Sequence, residues 1–326
     1  MEVRRNHTTA RLPWHPCRIA GERGTIPESP RKAGCPLHNR LFAPLVRPLA
    51  AVALVLLMAT SIHSQAQSPP SAPAHPAAQA KPPAKPNPND EMLARAAKLY
   101  YSTGNDGLAG FDCAVHPDWR LLFLSADPGN PVTVGDPRIV LLDSVKMALH
   151  ARMKGNSTLE WVPPAAPDKT SADLLEGMHG AMEQVLQGFL QFWVPFVDGS
   201  SVPSSSDGLD ITKSDKGYKL HAKTSDTEVT EEFDNRLLLA QFNVAMSKAT
   251  VSFSPTYEPT DKGLLVNAFL AHVLPAGAPA SQTQEIRVGI EYQTIGGTPI
   301  PARLKMSVVH SGTFNFVFDG CTASRQ

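Results

Sequence analysis

Between Tyr218 and Cys321 apolar residues occupy every second position in one short segment after another. A side-chain period of two is what a strand with one buried face imposes, so this stretch is expected to build an antiparallel sheet. Ile286, Val288, Ile290 and Tyr292 fall on one face, with Glu285, Arg287, Glu291 and Gln293 opposite. Ile300, Ala302, Leu304, Met306 and Val308 repeat the pattern after Gly296 and Gly297, which supply a hairpin turn. Phe314, Phe316 and Phe318 continue it; earlier come Tyr218 to Ala222, Leu238 to Met246 on the even positions, and Val251, Phe253 and Tyr257. Leu264 to Val273 is apolar on both faces and is expected to be covered on both.

Upstream of Asp90 the chain does not read as folded protein. Residues 1–43 are Arg-rich with scattered Pro and no apolar period, a non-structural extension that an upstream start codon would account for. Residues 44–66 read as a secretory signal peptide: Arg47, the apolar run Leu49 to Met58, and a small-residue site at Ser64, Gln65 and Ala66, with cleavage after Ala66. Retention as an uncleaved membrane anchor is the alternative. Residues 67–89, rich in Pro and Ala, describe a semi-rigid linker, leaving residues 90–326 as one domain. The expected location is periplasmic or secreted.

The chain has equal numbers of acidic and basic residues. Beyond Ala66 there are 21 basic and 27 acidic side chains, a net charge of about −6 that argues against nucleic acid as a partner. Of the 4 cysteines, only Cys113 and Cys321 lie past the signal. An exported chain meets an oxidising compartment. A Cys113–Cys321 disulfide joining the first strand to the last is therefore expected, worth on the order of 4 to 5 kcal/mol from loop entropy. Two separate buried thiols are the alternative.

Asn89 or Asp90 is positioned to cap a helix through Met92, Leu93 and Ala96, ending near Gly104. Leu108 to Val115 then reads as a strand, Pro117 as the start of a short helix, and Ile139 to Met153 as a strand, although Leu142, Val145 and Leu149 also fit a helix, turned back by Gly155 and Asn156 toward Leu159 and Trp161. The clearest helix opens at Thr170 or Ser171 and carries Leu174, Met178, Met182, Val185, Phe189, Phe192 and Phe196 at spacings of three and four. Glu176, Glu183, Gln184, Gln187 and Gln191 occupy its other side. Its apolar face is expected on the concave side of the sheet. The expected class is α+β, a curved antiparallel half-barrel with helices on its concave face.

No reaction is spelled out. His116, His150, His179, His221, His272 and His310 stand singly, without metal-ligand spacing, and neither a serine elbow nor a phosphate loop is present. Asp112 and Asp118 flank Cys113 and His116, but strand pairing and helix capping are their expected duties. Glu231, Glu232 and Asp234 form an acidic patch suited at most to a weak cation. Neither metal nor cofactor is expected. A hydrolase would need a nucleophile, a histidine and an acid converging from distant strands.

The order of elements, an N-terminal helix, a strand such as Gly110 to Val115, intervening helices and a long antiparallel run, resembles the LolA-like periplasmic lipoprotein-carrier superfamily. Tyr292-Gln-Thr-Ile-Gly-Gly-Thr-Pro-Ile-Pro-Ala-Arg-Leu is similar to the strand, turn and Pro-bearing strand near the end of several members. The resemblance covers roughly residues 90 to 321, and the chain's general character is also similar to that of other exported bacterial proteins. It implies a half-barrel whose concave face holds acyl chains under helical lids. The segment Asp136 to Trp161 and the long helix depart from the carriers, so no functional residue is carried over. The expectation is a non-enzymatic binding protein for a lipid, lipoprotein acyl chain or other hydrophobic small molecule, its cavity lined by Phe189, Phe192, Trp193, Tyr292, Leu304 and Phe316. The alternative is a structural or interaction module with a filled core and an envelope protein as partner.

Overall fold

A computed structural model describes residues 87–129, 132–198, 202–309 and 312–326. The extension, the signal peptide, the linker as far as residue 86, Ser200, Ser201 and His310 lie outside the described residues. Within them run α1 (Pro88–Ala97), β1 (Leu108–Pro117), α2 (Trp119–Ala126), α3 (Pro137–Asp143), β2 (Lys146–Arg152), β3 (Thr158–Val162) and α4 (Lys169–Val197). Nine strands follow: β4 (Asp210–Ser214), β5 (Gly217–Lys223), β6 (Thr227–Asp234), β7 (Leu239–Met246), β8 (Ala249–Thr260), β9 (Gly263–Pro275), β10 (Gln284–Ile295), β11 (Thr298–Val308) and β12 (Gly312–Arg325). All twelve join one antiparallel sheet in the order β3-β2-β1-β12-β11-β10-β9-β8-β7-β6-β5-β4. No ladder among the described residues joins β3 to β4, so the sheet is open. The class is α+β, as the alternation predicts.

Most of the sheet is a meander of hairpins, and the turn residues explain why. Gly296 and Gly297 both take positive φ, 59° and 85°, the backbone that a tight two-residue hairpin requires. Prolines sit where a ladder bond is dispensable. The β7–β8 pairing stops at Phe242 and Phe253, so Pro255 and Pro259 lie where β8 has lost one neighbour. Pro299 and Pro301 likewise lie beyond the β11–β12 ladder, which begins at Arg303 and Val317. β1 closes the long run by pairing with β12, and across that junction the sulfurs of Cys113 and Cys321 are at bonding distance, 2.05 Å.

The sheet parts between β9 and β10. Their ladder ends at Ala268 and Gly289, and beyond it β9 bonds to the segment after α1: Tyr101 N–H donates to Leu264 C=O at 2.9 Å and Leu264 N–H to Leu99 C=O at 2.8 Å. Gly263 makes this possible, because a Cβ there would stand 2.9 Å from Tyr101 N at a φ of +130°.

Several sequence expectations change. Ile139 to Met153 is not one strand: Asp136 accepts from Arg138 N–H at 2.9 Å with Pro137 following, so Pro137–Asp143 is a capped helix and β2 starts only at Lys146. The cap of α1 is Asn87, not Asn89 or Asp90, and the helix stops at Ala97 instead of near Gly104. A register shift between Glu232 and Phe233 puts Leu239, not Leu238, in the core. β9 is buried at consecutive positions only at Leu265 and Val266; farther along, Phe269, Ala271 and Val273 are buried while Ala268, Leu270 and His272 on the other face are half-buried.

Two apolar clusters result. The larger lies between α4 and the face carrying Phe253, Phe269, Val288, Leu304 and Phe316, and takes in β1, β2 and α2. The smaller gathers Met92, Leu93 and Ala96 of α1 with Leu220, Phe233 and Leu239 of β5 to β7. Phe196, in the last turn of α4, packs against both. The first half of α4 accordingly has one exposed side, as its sequence predicts, while the second half is nearly enclosed.

Candidate functional site

Helix α4 starts at Asp168, which accepts from Ser171 N–H at 2.7 Å, and its apolar stripe brings the predicted site residues into one cluster. Phe192 lies 4.0 Å from the ring of Phe253 on β8 and 4.7 Å from that of Phe269 on β9, centroid to centroid. Phe189 stacks on Trp193 at 6.0 Å, and Trp193 meets Phe111 of β1 edge-on at 6.0 Å. Leu304 and Phe316 face each other across β11 and β12. Trp193, Leu304 and Phe316 are 0 % exposed.

Tyr292 gives the cluster its polar joint. Its hydroxyl accepts from Trp193 Nε1–H at 2.9 Å and donates to Val266 C=O at 2.5 Å, spanning the gap where β9 and β10 part. Burial pushes its phenol well above the ordinary range. The two bonds satisfy two buried polar groups that would otherwise cost free energy. Between Phe189 and the strands bearing Val251, Phe269, Ile286 and Met306 a void of ≈10 Å3 remains. That is about the room one water needs.

A second buried feature escaped the sequence reading. Glu231 does not share a patch with Glu232 and Asp234. Glu232 faces Lys219 at 3.7 Å, Asp234 accepts from Arg236 N–H and Leu238 N–H in its own turn, and Glu231 points the other way. It is 9 % exposed, its strand neighbours are Leu220 and Phe242, and its Oε2 has no hydrogen-bond partner. Burial pushes its carboxyl up to about 8. The phenols of Tyr100 and Tyr257, whose rings are 5.1 Å apart, are also raised by burial. Among the described residues no group of three or more His, Cys, Asp or Glu could hold a metal ion.

On β1 and β2, Asp112 accepts from His150 at 2.7 Å and from Arg152 Nη1–H at 3.1 Å; Asp118 caps α2 through Leu121 N–H at 2.9 Å. Although burial alone would raise Asp112, these bonds hold its carboxyl below the ordinary value. Both aspartates therefore have the pairing and capping duties expected of them.

A roomier depression lies elsewhere among the described residues, an open cleft of ≈710 Å3 between the β2–β3 turn and the second half of α4. Its lining includes Arg152, Met153, Asn156 and Thr158 from the hairpin and Gln187, Leu190, Gln191, Val194 and Pro195 from the helix. Pro195, inside a helix that runs on to Val197, was its one visible signal in the sequence.

No family model, curated protein or solved structure matches this chain.

Proposed function

We propose that the chain is an exported, non-enzymatic interaction domain of the cell envelope, its sheet curved around α4 as a half-barrel and its interior filled by its own side chains. The observation that carries this reading is the ≈10 Å3 void between α4 and the sheet, where ligand pockets run to roughly 300–1,000 Å3. Curvature is supported by Trp193, which reaches both Phe111 on β1 and Tyr292 on β10 although β12 and β11 lie between them. A flat sheet would hold those two strands roughly 14 Å apart, three strand spacings. Export is supported by the apolar run Leu49 to Met58 and agrees with a paired Cys113 and Cys321.

Carriage of a lipid or lipoprotein acyl chain is the second reading, and it requires α4 to leave its seat. Favouring it, α4 is tied to the strands by one side-chain hydrogen bond among the described residues, Trp193 to Tyr292. The rest of the contact is apolar. Native mass spectrometry on the full chain recovered from a bacterial periplasm, with organic extraction and incubation with palmitate, separates the two. A clean protein mass without palmitate uptake is the expected result. Acyl species bound in stoichiometric amount would overturn the filled-core reading in favour of the carrier.

A further inference from the structure

We infer that the cleft between the β2–β3 turn and the second half of α4 is a peptide-binding site, taking an uncharged, extended segment of a partner protein that continues onto the free edge of β3; this rests on the interaction-domain reading above. Its ≈710 Å3 is in the range of ligand pockets. Its lining is partly apolar, with Leu190 and Met153 buried and Val194 and Pro195 half-buried, and suits an aliphatic side chain.

The polar groups suit a main chain. The side-chain oxygen of Gln191, a residue of the cleft wall, is shut off from solvent and has no hydrogen-bond partner, so turning its amide toward the cleft offers an acceptor to an incoming N–H and relieves an unsatisfied buried group. Pro195 has no N–H to return to the carbonyl of Gln191 four residues earlier, which leaves a second acceptor on the same residue without its helical partner. Across the cleft Arg152 spends Nη1 on Asp112 and on Ala151 C=O, leaving Nε and Nη2 as donors for a carbonyl. Because Asp112 offsets the guanidinium, the site has no strong preference for an anion. The lining contains no aromatic ring, the platform on which a sugar face would pack.

Thr158 ties the cleft to the sheet edge. It lines the depression and is the first residue of β3, whose outer side has no partner among the described residues. Addition of an extended peptide to such an edge supplies main-chain hydrogen bonds, while a side pocket supplies selectivity.

The test is selection of a phage-displayed random heptapeptide library on the full chain, followed by fluorescence anisotropy with a synthetic copy of the enriched peptide. Enrichment of uncharged, aliphatic sequences is expected. Gln191→Leu should weaken the peptide by roughly tenfold, the loss of about one hydrogen bond. Val194→Glu should abolish binding, and the surface change Asn156→Ala, which cannot unfold the protein, should weaken it measurably. Peptide binding indifferent to all three variants would overturn this site and leave the interaction domain standing. Failure to select any peptide, together with palmitate uptake, would overturn both. Capture of neutral oligosaccharides on a glycan array, lost in Gln191→Leu, would overturn the peptide as the ligand class.

Discussion

Replacing Glu231 with Gln is expected to stabilise the protein at alkaline pH and to leave it unchanged in acid. The carboxyl is buried on β6 against Leu220 and Phe242 with Oε2 unpartnered, and burial moves it from its ordinary 4.5 to about 8. The charged groups nearest it in sequence, Glu232 and Asp234, are engaged on the other face and in a turn, so no cation offsets the charge. The folded state therefore keeps a proton that the unfolded chain has released, and stability falls as pH rises from 4.5 to 8. A displacement of about 3.5 pH units corresponds to about 5 kcal/mol at its full extent and roughly 3 kcal/mol at pH 7. Glutamine has nearly the shape of the protonated acid and never ionises. Urea unfolding followed by tryptophan fluorescence at pH 5, 7 and 8.5, with the disulfide intact, gives the difference directly. Other titrating groups are common to both proteins and cancel in it. The variant should lie closest to the parent at pH 5, ahead by about 1 kcal/mol or less, and draw away progressively through pH 7 to pH 8.5. Parallel curves from pH 5 to 8.5, or a parent that gains on the variant as pH rises, would refute the buried unpaired carboxyl.

Two further consequences concern the joints of the sheet. Cys113 and Cys321 are separated by 208 residues, so replacing both with Ser should lower stability by up to about 5 kcal/mol, read as a fall in urea midpoint that thiol reduction of the parent reproduces. Tyr292→Phe leaves the Trp193 indole N–H and the Val266 carbonyl unpaired and should cost about 2–4 kcal/mol, whereas Trp193→Phe leaves the bond to Val266 in place. Thermal unfolding compares these two variants; equal losses with the same packing would count against the shared hydroxyl.

The strands were legible in the sequence because a single buried face writes itself in alternate positions, and Gly296-Gly297 or the Phe314, Phe316, Phe318 series leaves little choice. The Cys113–Cys321 pair followed from export and arithmetic. What stayed hidden depended on contacts between distant segments. Ile139 to Leu142 belongs equally to a strand or a helix until Asp136-Pro137 is read as a start signal. Glu231 looked like its neighbours because three acids in four residues read as a surface patch, although period two from Phe233 puts Glu231 on the inner face; the extra residue at Ala240 that shifts β7 against β6 has no local mark. The parting of β9 from β10 is set by Leu99 to Tyr101, more than 150 residues upstream, and period alone cannot express it. The six candidate lining residues do converge, yet periodicity gives only the face on which they lie. Whether that face is filled is a matter of volume.

The two ends of the sheet are guarded differently, and the difference bears on where a partner would pair. β4 is a short, polar edge, Asp210-Ile-Thr-Lys-Ser214, with exposed charges on both sides of its one large apolar residue. Charge, and lysine above all, is how an edge strand resists pairing with a foreign chain. β3, Thr158-Leu-Glu-Trp-Val162, has one acid and no lysine, is rich in residues that favour strands, and leaves Val162 47 % exposed. Pro163 and Pro164 stop it at one end only. An edge so composed is either a liability or a place for a partner strand. Val162→Lys is therefore expected to change the unfolding free energy from urea titration by less than about 0.5 kcal/mol, as surface substitutions do. In concentrated solution it should reduce the self-association measured by light scattering, because the added charge opposes edge-to-edge pairing. The corresponding charge reversal on β4, Lys213→Glu, should leave scattering unchanged. Equal effects at both edges would mean that association does not proceed through β3, and the asymmetry of the two edges would have no bearing on binding.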